Sequence, residues 1–502
     1  MLKVPGLFSE LDNKQFDVCI IGSGPAGTIL GVNLAKAGIN TLIVESGSNM
    51  FNWITNQNVK QMAHFEVSGN ANYPVNHTRA VMLGGTSNFW TGRCERFHPS
   101  DFEPHPYTPA DNPWPITYEE LDPYYERAEI SLRVRGEKRS EFTPPKKGDF
   151  PLKNKLNISY LKDLFGKVNI SVDHSPTATP KKGLRFYKVQ KEILPEFLKS
   201  PHGNLLTGVT VTKLIANTSG KVSEAQVKTF DGYEKRIKAK VFVVACGGIG
   251  TPRLLLLSKS EFFPNGIGNH YDRVGKGFNE HPAVNFYARI NHSLGTIYPS
   301  NKIGRSHQFY NIFRKDGLGS ILPVFRQSWI LPHHNMPFTI TNIPRNTVAF
   351  LKRFVKATLY IGVVIEMKIS DTNRVTLSET QKDIFGNPIA HLHLSYSDED
   401  LCLLDKSREL VRDLYKKVNA SNIYEAQVTF SRHHQGTCRM GDNPKTSVVD
   451  RNLKVHNTDN LYLSGSEVFV TGGSMQPVLT IAALSHRLSD HLIKRFKENG
   501  FN

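Results

Sequence analysis

The chain has 502 residues, 39% of them hydrophobic and 21% charged, which is an ordinary globular composition with room for two domains, one of them inserted in the other. Its 62 Lys/Arg outnumber 45 Asp/Glu, for a formal net charge of +17. The excess is greatest from Arg133 to Lys188, a Pro-punctuated stretch that reads as a solvated basic surface or as an attraction for an anionic substrate or partner; it lacks the interleaved aromatics of a nucleic-acid platform.

FDVCIIGSGPAGTILGVNLAKAGINTLIVESG reads as strand, glycine turn, helix and strand. Phe16 to Ile21 predicts a buried strand, Thr28 to Lys36 a helix ended by Gly38, and Thr41 to Val44 a second buried strand closed by Glu45. The Gly22, Gly24, Gly27 spacing falls between strand and helix, with an acid about twenty residues further on, as a dinucleotide-binding unit requires. Gly22 makes the tight turn, Gly24 admits a pyrophosphate, and Gly27 lets helix pack on strand. The helix N-terminus faces the phosphates, and Glu45 would accept hydrogen bonds from a ribose diol.

Further along, Asn204 to Ile215 and Glu224 to Phe230 predict strands of a meander. Lys240 to Ala245 predicts a buried strand running into the glycine-led helix of CGGIGTPRLLLLS. Strand-like runs follow at Val284 to Ile290, Leu359 to Ile369 and Ala390 to Ser395, with a helix at Asp398 to Lys417. DNLYLSGSEVF predicts a strand, and the final helix spans roughly Pro477 to Phe496. No apolar run reaches membrane-spanning length; Val241 to Leu257 comes nearest and is broken by Pro252 and Arg253. The first residues carry no apolar run of signal-peptide length. Five scattered cysteines (19, 94, 246, 402 and 438) show no CxxC pair or zinc spacing, so free thiols, a cytoplasmic location and no metal site are expected.

In SRHHQGTCRMG, two adjacent imidazoles sit in a glycine-punctuated loop, about forty residues before SMQPVLTIAAL. Together with IGSGPAG, RAVMLGGTSNFWTGRC, PWPITYEELDPYYERAE, ACGGIGTPRLLLLS, VGKGFNEHP, NRVTLS and VVDRNLKVHNTDNLYLSGSEVF, the chain resembles the glucose–methanol–choline family of FAD-dependent oxidoreductases. GGTSNFW and HHQGT…SGSEVF most resemble its branch containing pyranose 2-oxidase and sugar dehydrogenases. The resemblance implies an α/β fold: a Rossmann-like FAD-binding domain, as in p-hydroxybenzoate hydroxylase, with an interleaved α+β substrate domain on an antiparallel sheet. The expected division is 12–95, 200–281 and 430–502 for the FAD-binding domain, 96–199 for a cap segment and 282–429 for the substrate domain.

By the same resemblance, Gly22, Ser23, Gly24, Gly27 and Glu45 would hold the ADP half of FAD, and Val211 the adenine. Gly84, Gly85, Thr86 and Ser87 would pack beside the flavin. Asn88 stands where covalently flavinylated relatives carry His, which implies non-covalent FAD. Ala245, Gly465 and Ser466 would line the cofactor, with Gln476, Pro477 and Val478 facing the pyrimidine edge of its ring, where amides stabilise the charge of the reduced form. His433 is the implied proton acceptor, able to take a hydroxyl proton near neutral pH at its reference pKa of about 6.5, while the carbon-bound hydrogen leaves as hydride to flavin N5. His434 and Glu467 would serve behind it or at the substrate's edge. Gln476 replaces the family's usual His or Asn partner, and Val470 replaces its usual proline.

The implied activity is oxidation of an alcohol to a carbonyl on a sugar, glycoside or polyol-like substrate. A biosynthetic tailoring dehydrogenase on an oligosaccharide or antibiotic-like intermediate, and an FAD-binding scaffold or sensor, are the alternatives. No second GxGxxG and no redox CxxxxC is present, which argues against a pyridine-nucleotide disulfide reductase. The electron acceptor (oxygen, a quinone or a redox protein) stays open.

Overall fold

The computed structural model describes residues 15–48, 64–137, 139–155, 157–181, 187–290, 303–328, 357–498 and 501. The N-terminal residues read above for targeting, the basic Lys138, Lys182 and Arg185, and the connections 291–302 and 329–356 lie outside them.

Gln15–Ile21 is a strand because its apolar, β-branched side chains are buried between two parallel neighbours, Thr41–Glu45 and Glu234–Val244. The seven-stranded sheet they start runs Gly203–Thr207, Thr41–Glu45, Gln15–Ile21, Glu234–Val244, Val222–Thr229, Val209–Ala216, and Leu461–Leu463 pairs with the far end of Glu234–Val244. The helix Pro25–Lys36 follows the first strand, and the C-terminal helix Val478–Lys497 packs against it, joining the two ends of the chain in one core.

The second sheet is antiparallel and six-stranded, in the order Ser421–Phe430, Pro282–Ile290, Ala357–Ile365, Ile321–Ser328, Ile303–Arg305, Asp173–His174. One face buries Val284, Phe286, Phe325, Ile361 and Val363 against the helix Asp398–Lys417. That helix has the bounds expected from sequence because its start is local. Ser397 Oγ accepts from Asp400 N, and the Asp400 carboxylate accepts in return from Ser397 N at 2.9 Å.

Three strand expectations change. Asn204 to Ile215 is two strands, parted at Gly208 where φ is +72°. The first pairs parallel with Thr41–Glu45 at the sheet's edge, so the meander holds only from Val209 to Val244. The run expected at Leu359 to Ile369 stops at Ile365, because the next carboxylate, Glu366, turns inward and accepts from Ser320 N and Oγ at 2.9 and 3.0 Å. Lys240 to Ala245 is the buried end of a strand that begins at Glu234. Among the described residues no helix is long and apolar enough to cross a membrane, and all five cysteines are free.

Candidate active site

A cavity of about 600 Å3 runs between the two sheets, and residues from both ends of the chain line it. At one end the first strand turns at Gly22, whose φ is +110° and where a Cβ would lie 2.5 Å from Ala245 O. A Cβ on Gly27 would lie 2.0 Å from Gly22 O, so only glycine lets the helix sit this close. Gly24 differs: a Cβ there would meet nothing within 4 Å, because it faces the cavity. The helix that starts after Gly24 has no side-chain cap and no acid in its first turn, so its leading amides are open to an anion. The C-terminal helix likewise begins uncapped behind Pro477, on the same cavity. Two unpartnered positive helix ends, a glycine floor and Val211 along one elongated cavity fit a dinucleotide's charge and shape.

Glu45 closes its strand with its carboxylate fully engaged: Oε2 accepts from Ser23 N and Oγ at 3.0 and 2.6 Å, and Oε1 from Gly47 N at 2.9 Å. Burial pushes its pKa up in spite of those bonds. Gly84 at φ +81° starts the turn Gly85–Asn88 beneath the cavity. Asn88 does not reach the cavity; its amide donates to Leu83 O and Gly85 O at 2.9 and 2.8 Å, and its oxygen accepts from Gln190.

At the other end, the loop carrying the two imidazoles is laced to the segment Asn279–His281. Asn279 and Gln435 exchange backbone hydrogen bonds of 3.0 and 3.1 Å, and Ser431 N donates to His281 O. Glu280, fully buried, accepts from Arg432 N at 2.8 Å, from His433 N and from His281 N at 3.0 Å. Burial raises the Glu280 pKa to about 7 against these bonds. Gly436 permits the turn that follows, with φ +78° and a Cβ position 2.5 Å from Gly277 O. His433 is thereby aimed into the cavity, with its Nδ1 2.8 Å from His281 Nδ1. Burial, with His281, Arg305 and His434 nearby, pushes His433 well below the usual imidazole value. The reference pKa near 6.5 therefore does not apply: the ring stays neutral at neutral pH because the cavity cannot solvate its cation.

Gln476 lines the cavity, and its Oε1 accepts from Arg305 Nη1 at 2.7 Å. That bond leaves the amide nitrogen as the group it can offer elsewhere. His434 also borders the cavity, but its Nε2 is engaged by Tyr73 Oη at 2.6 Å and Thr78 Oγ1 at 3.2 Å. Glu467 does not line the cavity. It lies behind Gly465, with Thr251 Oγ1 at 3.3 Å from Oε1 and Oε2 buried without a partner, and burial raises it to about 7. Gly27, Gly84 and Asn88 also stand back from the cavity, while Gly22, Ser23, Gly24, Glu45, Gly85, Thr86, Ser87, Val211, Ala245, Gly465, Ser466, Pro477 and Val478 all border it.

Sequence reasoning missed His281, Glu280, Arg305 and Arg79. The first two sit in NEHP, where an adjacent acid and imidazole before proline were a readable signal. Arg79, which borders the cavity and donates to Cys246 O at 2.7 Å, sits in the RAVMLGG motif. Arg305 had no local signal. The basic stretch is partly consumed by ion pairs, Arg139 with Glu95, Lys146 with Glu129 and Lys162 with Glu137.

Residues 20–283 and 370–485 match the N- and C-terminal family models described as GMC oxidoreductase. The chain is 26% identical to the fructose dehydrogenase large subunit of Gluconobacter japonicus, across 96% of this chain and 98% of that protein. It is 27% identical to 6'''-hydroxyparomomycin C oxidase of Streptomyces lividus, across 96% and 92% of the two chains. Among solved structures, formate oxidase of Aspergillus oryzae superposes with a TM-score of 0.69 at 17% identity, covering 98% of this chain and 100% of that one.

Proposed function

The chain belongs to the GMC oxidoreductase family, flavoproteins that bind FAD and act on CH–OH groups, and from that premise we propose that it oxidises a hydroxyl of a sugar or polyol-like substrate to the carbonyl through His433. The observation that carries this reading is that His433 and Gln476 border the same cavity as the Gly22–Gly24 cradle. FAD, when bound, supplies the acceptor for the two electrons and the carbon-bound hydrogen.

The chain's own residues would do the rest. The open amides after Gly24 and the cavity walls at Val211, Thr86 and Ser87 would hold the cofactor, without a covalent link because Asn88 has no nucleophilic nitrogen and is tied to backbone. Neutral His433 would take the hydroxyl proton on Nε2, its Nδ1 being engaged by His281. Gln476, its oxygen held by Arg305, would donate its amide hydrogen to the substrate oxygen as negative charge grows there. The segments 12–95, 200–281 and 430–502 would form the cofactor-binding part, and 96–199 and 282–429 the part that shapes the substrate's side. Five free thiols support a cytoplasmic location.

A tailoring role on an oligosaccharide-like intermediate draws support from the likeness to 6'''-hydroxyparomomycin C oxidase. A scaffold without turnover is disfavoured by a neutral, oriented imidazole in the cavity. The deciding experiment is an anaerobic flavin-reduction screen over sugars, glycosides and polyols. Bleaching by one or more of them is expected; no bleaching across the panel would remove the reading.

A further inference from the structure

The six-stranded sheet has two unlike faces. The apolar one is buried against the helix Asp398–Lys417. Strand alternation sends Arg305, Val324, Arg326, Tyr360 and Asn285 to the other, as the register shows: Arg305 is opposite Val324, Arg326 opposite Ile303 and Tyr360, and Asn285 opposite Gly362. Gln476 meets the sheet on this polar face, through Arg305. A second cavity of about 210 Å3 opens there, lined by Arg326, Tyr360, Asn285, Tyr287, Val324 and Thr429, the last of these one residue from Phe430 of the large cavity.

The face has more positive charge than the protein neutralises. Arg305 is 3% exposed, and the carboxylate facing it is Glu95, with Nε and Oε1 3.7 Å apart and no hydrogen bond at either atom. The same carboxylate already holds Arg139 at 2.7 Å. Arg326 lies over the Tyr360 ring, 5.2 Å from its centroid; its Nε is buried without a hydrogen bond, and among the described residues no carboxylate pairs with it. From His281 to Ile365 the sequence has a single acid, Asp316, which pairs with Lys406. The other acids on the strands of this sheet are already engaged: Asp173, opposite Arg305 in register, accepts from Ser140 N and Oγ at 2.8 and 2.5 Å, and Glu425 holds Arg408 and Arg412. A buried guanidinium that shares half a carboxylate is costly, and a ligand anion is what would offset it.

We infer that this face is an anion-binding subsite, in which Arg326, with Arg305 beside it, receives a carboxylate or phosphate group carried by the sugar or polyol whose hydroxyl lies at His433 and Gln476. The inference rests on the alcohol-oxidation reading for what happens to that substrate, but not for what binds. Tyr360, whose hydroxyl donates to Asn285 Oδ1 at 2.7 Å, lines the same cavity, and its ring packs against the Arg326 guanidinium. An amino sugar, cationic at neutral pH, is disfavoured by the same charges.

The test is calorimetric titration of the holoenzyme with D-glucose, D-glucosamine, D-glucuronate and D-glucose 6-phosphate at low ionic strength, repeated with added salt. At least one anionic probe should bind about tenfold or more tighter than D-glucose and lose that margin in salt. Which of the two binds tighter separates a carboxylate from a phosphate ester. Arg326→Met should weaken the anionic probe roughly tenfold to a hundredfold, with Arg326→Lys between the two, at unchanged flavin content. Equal binding of neutral and anionic probes, no binding of either anion, or wild-type affinity in Arg326→Met would overturn the subsite. Should Arg326→Met not fold, the wild-type ratio and its salt dependence decide alone. Flavin reduction recorded on the same samples keeps the two readings apart. Anions that bind while nothing bleaches the flavin leave the subsite and remove the oxidation; neutral sugars that bleach it without an anionic advantage do the reverse.

Discussion

His281 and His433 face each other Nδ1 to Nδ1 at 2.8 Å, so the two rings share one hydrogen. For His433 to keep Nε2 open as a proton acceptor, that hydrogen must sit on its own Nδ1 and be donated to His281. His281 then carries its hydrogen on Nε2, beside the Gln435 amide at 3.0 Å. Gln435 Oε1 is otherwise buried without a partner, and turning it to His281 satisfies both groups. With the Gln435 amide turned so that its oxygen faces His281, the line Gln435–His281–His433 gives the tautomer that the chemistry needs.

His281→Phe is expected to slow anaerobic flavin reduction roughly fivefold to 150-fold, the worth of one buried hydrogen bond that orients a base, with flavin content unchanged. His281→Gln, which restores an acceptor at that point, should recover part of the loss. A Phe variant as fast as wild type would show that His433 needs no orienting partner.

His433→Ala should retain flavin and lose substrate-dependent reduction by about two to four orders of magnitude. The pH profile carries a second expectation. Because burial holds His433 well below the usual imidazole value, the ring is neutral across the neutral range, and the acid limb of the reduction rate should lie on the acid side of the ordinary histidine range. An acid limb centred at the ordinary histidine value would show that the ring is solvated during turnover.

Gln476→Ala should slow reduction roughly fivefold to 150-fold while leaving the flavin bound. The Arg305 contact decides what asparagine does. A side chain one methylene shorter cannot hold its oxygen on Arg305 Nη1 and also present its nitrogen to the substrate, so Gln476→Asn should resemble alanine. Stopped-flow reduction of the three proteins checks this, and a faster asparagine variant would count against Arg305 as the group that orients Gln476.

The two cradle glycines should fail differently. Gly24→Val places its side chain in open cavity, so a folded but colourless protein is expected. Gly22→Val meets Ala245 O at 2.5 Å with φ at +110°, so this variant should also lose melting temperature. Flavin absorbance and thermal melts of both variants distinguish the outcomes.

Stability should fall as pH drops from about 6.5 towards 4. Burial holds His98, His174, His281 and His486 at about 3 to 4, and pushes His307, His433 and His434 down as well. The unfolded chain protonates these rings first, so their contribution is complete above the unfolded value and is lost below it. Glu280 and Glu467, raised to about 7, and Asp400, raised to about 6, act in the opposite direction, as do Glu45 and Asp101, but the histidines outnumber them. Melting temperatures recorded across this range should decline by several degrees; a flat or rising curve would contradict the buried-histidine account.

What the sequence by itself determined are features whose causes lie within one turn or one strand. Gly22, Gly24 and Gly27 could be read between two apolar strands because the turn, the approach and the packing are all fulfilled inside a single strand–turn–helix unit. The helix Asp398–Lys417 could be read to its ends because Ser397 and Asp400 cap it three residues apart and lysines close it. Only the tertiary structure decided that Asn204 to Ile215 is divided at Gly208, since the first half's partner is Thr41–Glu45 across the sheet. It also decided the pairing of His433 with His281, which is separated from it by 152 residues, and of Gln476 with Arg305, separated by 171. A hydrogen bond between side chains so far apart in the chain leaves no period or spacing in it. The basicity of His433 was hidden for the same reason: it is set by the burial around the ring, and burial belongs to the packing of distant segments.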